Sequence, residues 1–311
     1  MIDRIFERMC VDERIFFLSA DFGAPSLDKV RHSFTDRFIN VGIAEQNMVN
    51  LATGLAIEGF TVYAYAIAGF LSMRAYEQIR VNLSLSSQHR DINVNLIGVG
   101  AGASYDVSGP SHHCFEDLTI IRALPNVVLF SPSDYVTAEK FVEFSVRVRK
   151  PKYIRLDGKP LPAIYEPDAH FDWESGFHEL AEGDDTCIVS TGQATHKALS
   201  VLEKARKKGI NVGLIDVFLL KPINTAHLSS ALRKYKSVVT VEEAFVGKGG
   251  LDSLIMHLLN DEGSGIRVRS LGFGDSYVFK SGGREYLHEE AGFSEKDILR
   301  VINDVRRQEP F

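Results

Sequence analysis

Glu45 stands where the run RFINVGI (37–43) gives way to the helical period of EQNMVNLATGLAIEG. An acid in a first helical turn gains about 0.3–1 kcal/mol from the helix dipole, and position alone accounts for Glu45 in that way. Its neighbours say more. Val41, Gly42, Ile43 and Ala44 precede it and an apolar helix face follows, so the carboxylate is poorly solvated unless it has a dedicated partner. A second cluster is apolar: Ile67, Phe70 and Met73 recur every three residues in AIAGFLSMRAYEQIR. It reads either as core or, because Phe70 follows Gly69 at a strand exit, as a flat face open to a ligand. Arg74 and Arg80 on the same run read as solvated charges, with Arg74 kept as a candidate substrate contact. The third feature, GVGAGASYDVSGPSHHCFEDL, is a flexible loop ending in His112 and His113. Adjacent histidines cannot both aim at one point, and Cys114 lies beside them, so no metal site is expected here. One histidine turned into a cleft would serve as acid, base or oxyanion donor near neutral pH.

These residues need a scaffold, and the apolar pattern supplies one. IFFLSA (15–20), FTVYAYAI (60–67) and NVNLIGVG (93–100) read as buried strands. Between them, Met48, Ala52, Leu55 and Ala56 share one helical face that stops at Gly59, and SMRAYEQIRVNL reads as a further helix. LTIIRAL, NVVLFSP and TAEKFVEFSVRVR continue the alternation. The stretch 161–184 carries acids and prolines with little periodicity and reads as a linker, with room for one short strand. Beyond it DTCIVSTG, INVGLIDVFLL, SVVTVEEA and RVRSLGFG alternate with helical runs, the last helix starting at Ser294. The expected fold class is therefore α/β, with two domains (1–160 and 185–311), each a mainly parallel sheet flanked by helices. In such sheets ligands gather beyond the carboxyl ends of the strands, where Glu45, Phe70 and the histidine loop all fall.

Composition excludes several classes. With 311 residues, 45% hydrophobic and 24% charged, the chain can bury two cores, and disorder is ruled out. A net charge of −6 gives no reason to expect nucleic acid or an anionic membrane surface as partner. The three cysteines are far apart, no apolar run is long enough for a membrane span, and the N-terminal charges do not suit a signal peptide. A cytoplasmic protein is expected. Neither GxxxxGK[ST] nor GxSxG occurs, and GVGAGA is only a weak approximation to a dinucleotide fingerprint.

Taken together, the segments resemble the transketolase group of thiamine diphosphate enzymes, in the half that holds the pyrimidine-binding and C-terminal domains. RFINVGIAEQNMVNLATGLAIEG resembles the family's catalytic-glutamate segment, and GFLSMRAYEQIR its aminopyrimidine pocket. SGPSHHCFEDLTIIRALPNVVLFSPSD resembles its substrate-histidine loop, and GREYLHEEAGFSEKDI a typical ending. The resemblance implies that Glu45 bonds N1′ of the cofactor's aminopyrimidine, so that the 4′-imino group takes the C2 proton. It assigns Phe70 to stacking on the pyrimidine, Ile67 and Met73 to neighbouring pocket positions, and Asp21 to the cofactor side. His112 would contact the donor sugar, Ser108 its hydroxyl, and Arg155 a substrate phosphate.

Two positions depart from the family pattern. Ser108 stands where an aspartate normally precedes the Gly-Pro, and Gly100 where transketolases place a phosphate-binding histidine. The departures imply an altered sugar substrate, non-phosphorylated or nucleotide-linked. The family's Gly-Asp-Gly…Asn motif for Mg²⁺ and the diphosphate is also missing: GDD (183–185) and GFGDS (272–276) do not fit it. The implied protein is one subunit of a split transketolase. An N-terminal, diphosphate-binding subunit would hold Mg²⁺, an α2β2 assembly would form the site, and a two-carbon ketol unit would pass from a ketose to an aldehyde. Two other readings stay open: the β subunit of a 2-oxoacid dehydrogenase E1, and a non-catalytic regulatory paralogue.

Overall fold

A computed structural model describes residues 1–307. The apolar runs of the first half become β1 (Ile15–Ser19), β2 (Phe38–Asn40), β3 (Thr61–Ile67), β4 (Val94–Val99), β5 (Val128–Phe130) and β6 (Lys152–Leu156). The second half supplies β7 (Phe177–Ala181), β8 (Thr186–Ser190), β9 (Gly213–Val217), β10 (Leu219–Lys221), β11 (Ser237–Phe245) and β12 (Arg267–Phe273). The first sheet runs β10-β5-β6-β4-β3-β1-β2 and the second β12-β11-β8-β9-β7. Both are parallel except for one antiparallel edge each, β10 against β5 and β7 against β9. All six residues of β4 are buried, which is why its sequence carries no alternation. The α/β class and the two sheets agree with the sequence reading. No described helix is long and apolar enough to cross a membrane.

β7 is the one short strand for which the 161–184 stretch left room, a half-exposed edge strand. Two other elements differ from what the sequence suggested. INVGLIDVFLL is two strands rather than one, because Phe218 is buried between them and β10 crosses to the edge of the first sheet. The helix expected over SMRAYEQIRVNL is built largely of π-helical turns, Phe70–Arg74 and Ile79–Leu85, around the short α-turn Tyr76–Gln78. Such turns are rare and concentrate at functional sites.

One apolar cluster includes Leu96 and Leu129 from the first sheet together with Ile215 and Val217 from the second, so the two sheets share a core. Helix Glu45–Ile57 packs Met48, Ala52 and Ala56 inward, with Leu55 partly buried against the same cluster. It ends before Gly59, whose φ of +89° favours glycine.

Candidate active site

The helix Glu45–Ile57 begins directly after the β2 loop, which delivers Glu45 to the carboxyl edge of the first sheet. Its side chain is almost fully buried, and Arg74 Nη1 donates to Oε2 at 2.8 Å. Glu45 therefore has the partner its apolar setting called for. Arg74 is a half-exposed arginine held by that acid, rather than a purely solvated charge.

The same guanidinium lies 4.9 Å from the centre of the Phe70 ring, a cation–π contact. Phe70 is partly exposed and meets the His112 ring edge-on at 5.6 Å. His112 in turn meets Tyr105 at 6.4 Å, nearly perpendicular. Glu45, Arg74, Phe70, His112 and Tyr105 thus form one continuous line of contacts, drawn from three separate chain segments.

The two histidines part company. His112 is half-buried in this line, and its Nδ1 pairs with the Ser111 hydroxyl at 3.1 Å. His113 is buried against Phe115, with Nε2 at the Asp106 carbonyl, and burial lowers its pKa. Of the two, only His112 is partly exposed.

Other expected site residues lie outside this line of contacts. Asp21 is exposed with φ +52° and accepts from Asn40 Nδ2 at 2.9 Å. Asn40 Oδ1 also receives the amides of Asp21 and Gly42, tying the β1 loop to the loop that carries Glu45. Ile67 is half-buried at the end of β3, and Met73 is 43% exposed in the π-turn that also carries Phe70. Ser108 is exposed at the end of a short 3-10 turn.

Arg155 is not on an open face. Its Nε bonds both oxygens of Asp117 at 3.1 and 2.9 Å, and Nη2 bonds the Glu243 and Cys114 carbonyls. Only Nη1 lacks a protein partner among the described residues, so a phosphate would find a single, recessed donor.

The second domain also reaches the histidine loop. Glu243 Oε2 accepts from the Ala103 amide, and a side chain at Gly102 would run into it. Arg284 bonds Glu243 and Asp157, and its amide donates to Asp106. Burial pushes the Glu243 carboxyl up, but Arg284 and His288 outweigh it and hold the group well below the usual carboxylate range. Asn40, Tyr105, Glu243 and Arg284 were not foreseen. The one sequence signal was Gly102, which marks a close approach without naming what approaches.

The residues fit an aminopyrimidine cofactor. Glu45 Oε1 has no protein hydrogen bond among the described residues, and Phe70 beside it offers an aromatic surface. Among those residues, no three His, Cys, Asp or Glu side chains converge to hold a metal.

Known proteins agree with this architecture. The family profile of the transketolase pyrimidine-binding domain matches residues 3–162, and that of the transketolase C-terminal domain matches residues 177–298. The chain is 32% identical over 266 residues to one of the subunits of the apulose-4-phosphate transketolase of Actinobacillus succinogenes, covering 86% of this chain and 84% of that one. It is 31% identical to transketolase-like protein 1 of Bos taurus, over 94% of this chain but 48% of the bovine one. A solved structure described as a split gene transketolase, inactive beta4 tetramer, superposes with a TM-score of 0.84 at 32% identity, covering 97% of this chain and 95% of that one.

Proposed function

The chain belongs to the transketolase family, and on that premise we propose that it is the pyrimidine-side subunit of a split, thiamine diphosphate-dependent transketolase. The observation that carries this reading is Glu45: a buried acid with one oxygen unclaimed, beside a partly exposed phenylalanine on an open edge of the sheet. Exposed Ile43 and Met73 flank it, an apolar rim suited to a partner subunit.

When bound, thiamine diphosphate supplies the nucleophilic carbon and the electron sink for transfer of a two-carbon ketol unit. This chain's residues do the rest on their side of the site. Glu45 would hold a pyrimidine ring nitrogen through a proton shared at Oε1, with Arg74 fixing the carboxylate by its other oxygen. Phe70 carries the pyrimidine face. His112, set by Phe70 and Tyr105, contacts the hydroxyls of the donor sugar, with Ser108 and Asp21 nearby in the fold. Mg²⁺ and the diphosphate are assigned to the partner subunit, in an α2β2 assembly in the cytoplasm.

Calorimetric titration of thiamine diphosphate with Mg²⁺ into this chain, alone and mixed with the diphosphate-binding subunit, tests the reading. Tight binding and ketol transfer are expected only in the mixture. Tight binding and turnover by the chain alone would refute the split.

A further inference from the structure

Beyond the carboxyl ends of β1, β4 and β6 lies a cleft of about 730 Å³ that none of the residues above explains. Carboxyl-edge clefts of this size are where α/β sheets take ligands. Tyr105 lines it and also meets His112, so the cleft continues the line that begins at Glu45.

We propose, resting on the ketol-transfer reading, that this cleft receives the end of the sugar remote from the transferred unit, and that this end is uncharged rather than a terminal phosphate or sulfonate.

The lining argues for it. Phe22, Tyr65, Tyr105 and Tyr135 give aromatic surface, and Val99 and Leu156 extend it. The charged side chains at its wall are already committed. Asp134 accepts from the amides of Thr137, Ile164 and Tyr165 and so caps the helix Tyr135–Arg147. The helix N-terminus that faces the cleft, otherwise a place for an anion, is thus filled by a carboxylate that repels one. Asp157 is paired with Arg284 at 2.6 Å, and Lys159 at the rim is paired with Asp106 at 2.6 Å. An anionic tail is held best by uncommitted Arg or Lys donors; Arg284 is spent on Asp157 and Glu243, and Lys159, half-exposed at the rim, offers only what its pair with Asp106 leaves.

Tyr105 is built into this arrangement. Gly100 has φ +90°, and a side chain there would overlap the Tyr105 ring. At Gly158, on the same ring, a Cβ would come within 3.0 Å of it. The two glycines leave a slot that the ring fills, taking the volume a larger residue at position 100 would need. The Tyr105 hydroxyl has no protein partner among the described residues, and burial, aided by Asp157, raises its pKa, so it stays a neutral donor for a sugar hydroxyl.

The test uses the reconstituted two-subunit enzyme with thiamine diphosphate and Mg²⁺. Three donors are compared: hydroxypyruvate, which has no tail, a free 2-ketose, and that ketose's terminal phosphate ester. The free ketose should show kcat/KM at least about tenfold above its phosphate ester, and inorganic phosphate at about 10 mM should not compete with it. Tyr105→Ala should raise KM for the free ketose about tenfold, and by a smaller factor for hydroxypyruvate, while Tyr105→Phe should recover part of the loss. Preference for the phosphate ester, above all one removed by Lys159→Met, would overturn the inference and make the rim lysine an anion receptor. Equal KM changes for tailed and tailless donors would overturn it too. No turnover even with hydroxypyruvate would refute the ketol-transfer reading, and the inference with it.

Discussion

Two arginine–carboxylate pairs of nearly equal length sit in the first domain, and they behave as opposites. Arg74–Glu45 is 2.8 Å long with the arginine side chain 47% exposed, while Arg155–Asp117 is 2.9 Å with both partners essentially buried. Arg155 commits Nε and Nη2 to Asp117 and to carbonyls from both domains, and Asp117 also accepts the Tyr153 hydroxyl. Glu45 keeps an oxygen unclaimed. The contrast separates two uses of the same chemistry: a pair with its bonding capacity consumed fixes structure, and one left partly unsatisfied at an open edge is available for reaction.

The comparison can be broken most directly at the buried pair. Arg155→Met strands Asp117 in the interior and should cost about 3–5 kcal/mol of stability in urea unfolding. A loss under about 1 kcal/mol would mean the pair is not structural. Glu45→Gln should do the reverse: unfolding nearly unchanged, but turnover of the reconstituted enzyme lower by about 10²–10⁴-fold. Near-normal rates would remove Glu45 from the mechanism.

A buried acid without a cation sharpens the contrast further. Asp216 accepts hydroxyls from Ser133, Tyr165 and Thr195, and burial pushes its carboxyl up to about 6. Because the folded pKa exceeds the unfolded value of about 3.9, its contribution is fully present below that value and is lost as pH rises through about 6. Asp216→Asn lacks this loss, so between about pH 4 and pH 7 the variant should gain about 2–3 kcal/mol relative to the parent chain in matched unfolding curves. A pH-independent difference would show that Asp216 ionises normally. The smallest effect is expected at Phe70→Ala, which should weaken cofactor binding to the two-subunit enzyme about tenfold by calorimetry. Unchanged affinity would remove Phe70 from the cofactor pocket.

Much of the fold was legible because strands buried on both faces leave uninterrupted apolar runs, as β3 and β4 do, and because Gly59 marks a helix end. β10 was not legible as a separate strand: it is three residues long and is defined by pairing with a distant β5. At the site, Glu45 could be singled out because its neighbours are apolar. Its partner could not, since Arg74 lies 29 residues away on a run whose π-turns shift every facing. The family resemblance assigned Arg155 to a substrate phosphate; its bonds to Asp117 and to the second domain were not legible in local sequence.

By itself, then, the sequence determined the class of sheet and the membership carried by the motif order, and it singled out Glu45 as an acid in an apolar setting, because these follow from local pattern and from residue type. Tertiary structure decided which histidine is left partly exposed, which arginine is buried, and that Tyr105 fills the space beside Gly100. Those outcomes depend on contacts between segments far apart in the chain, where burial and the count of unused hydrogen bonds, rather than residue identity, set what a side chain can do.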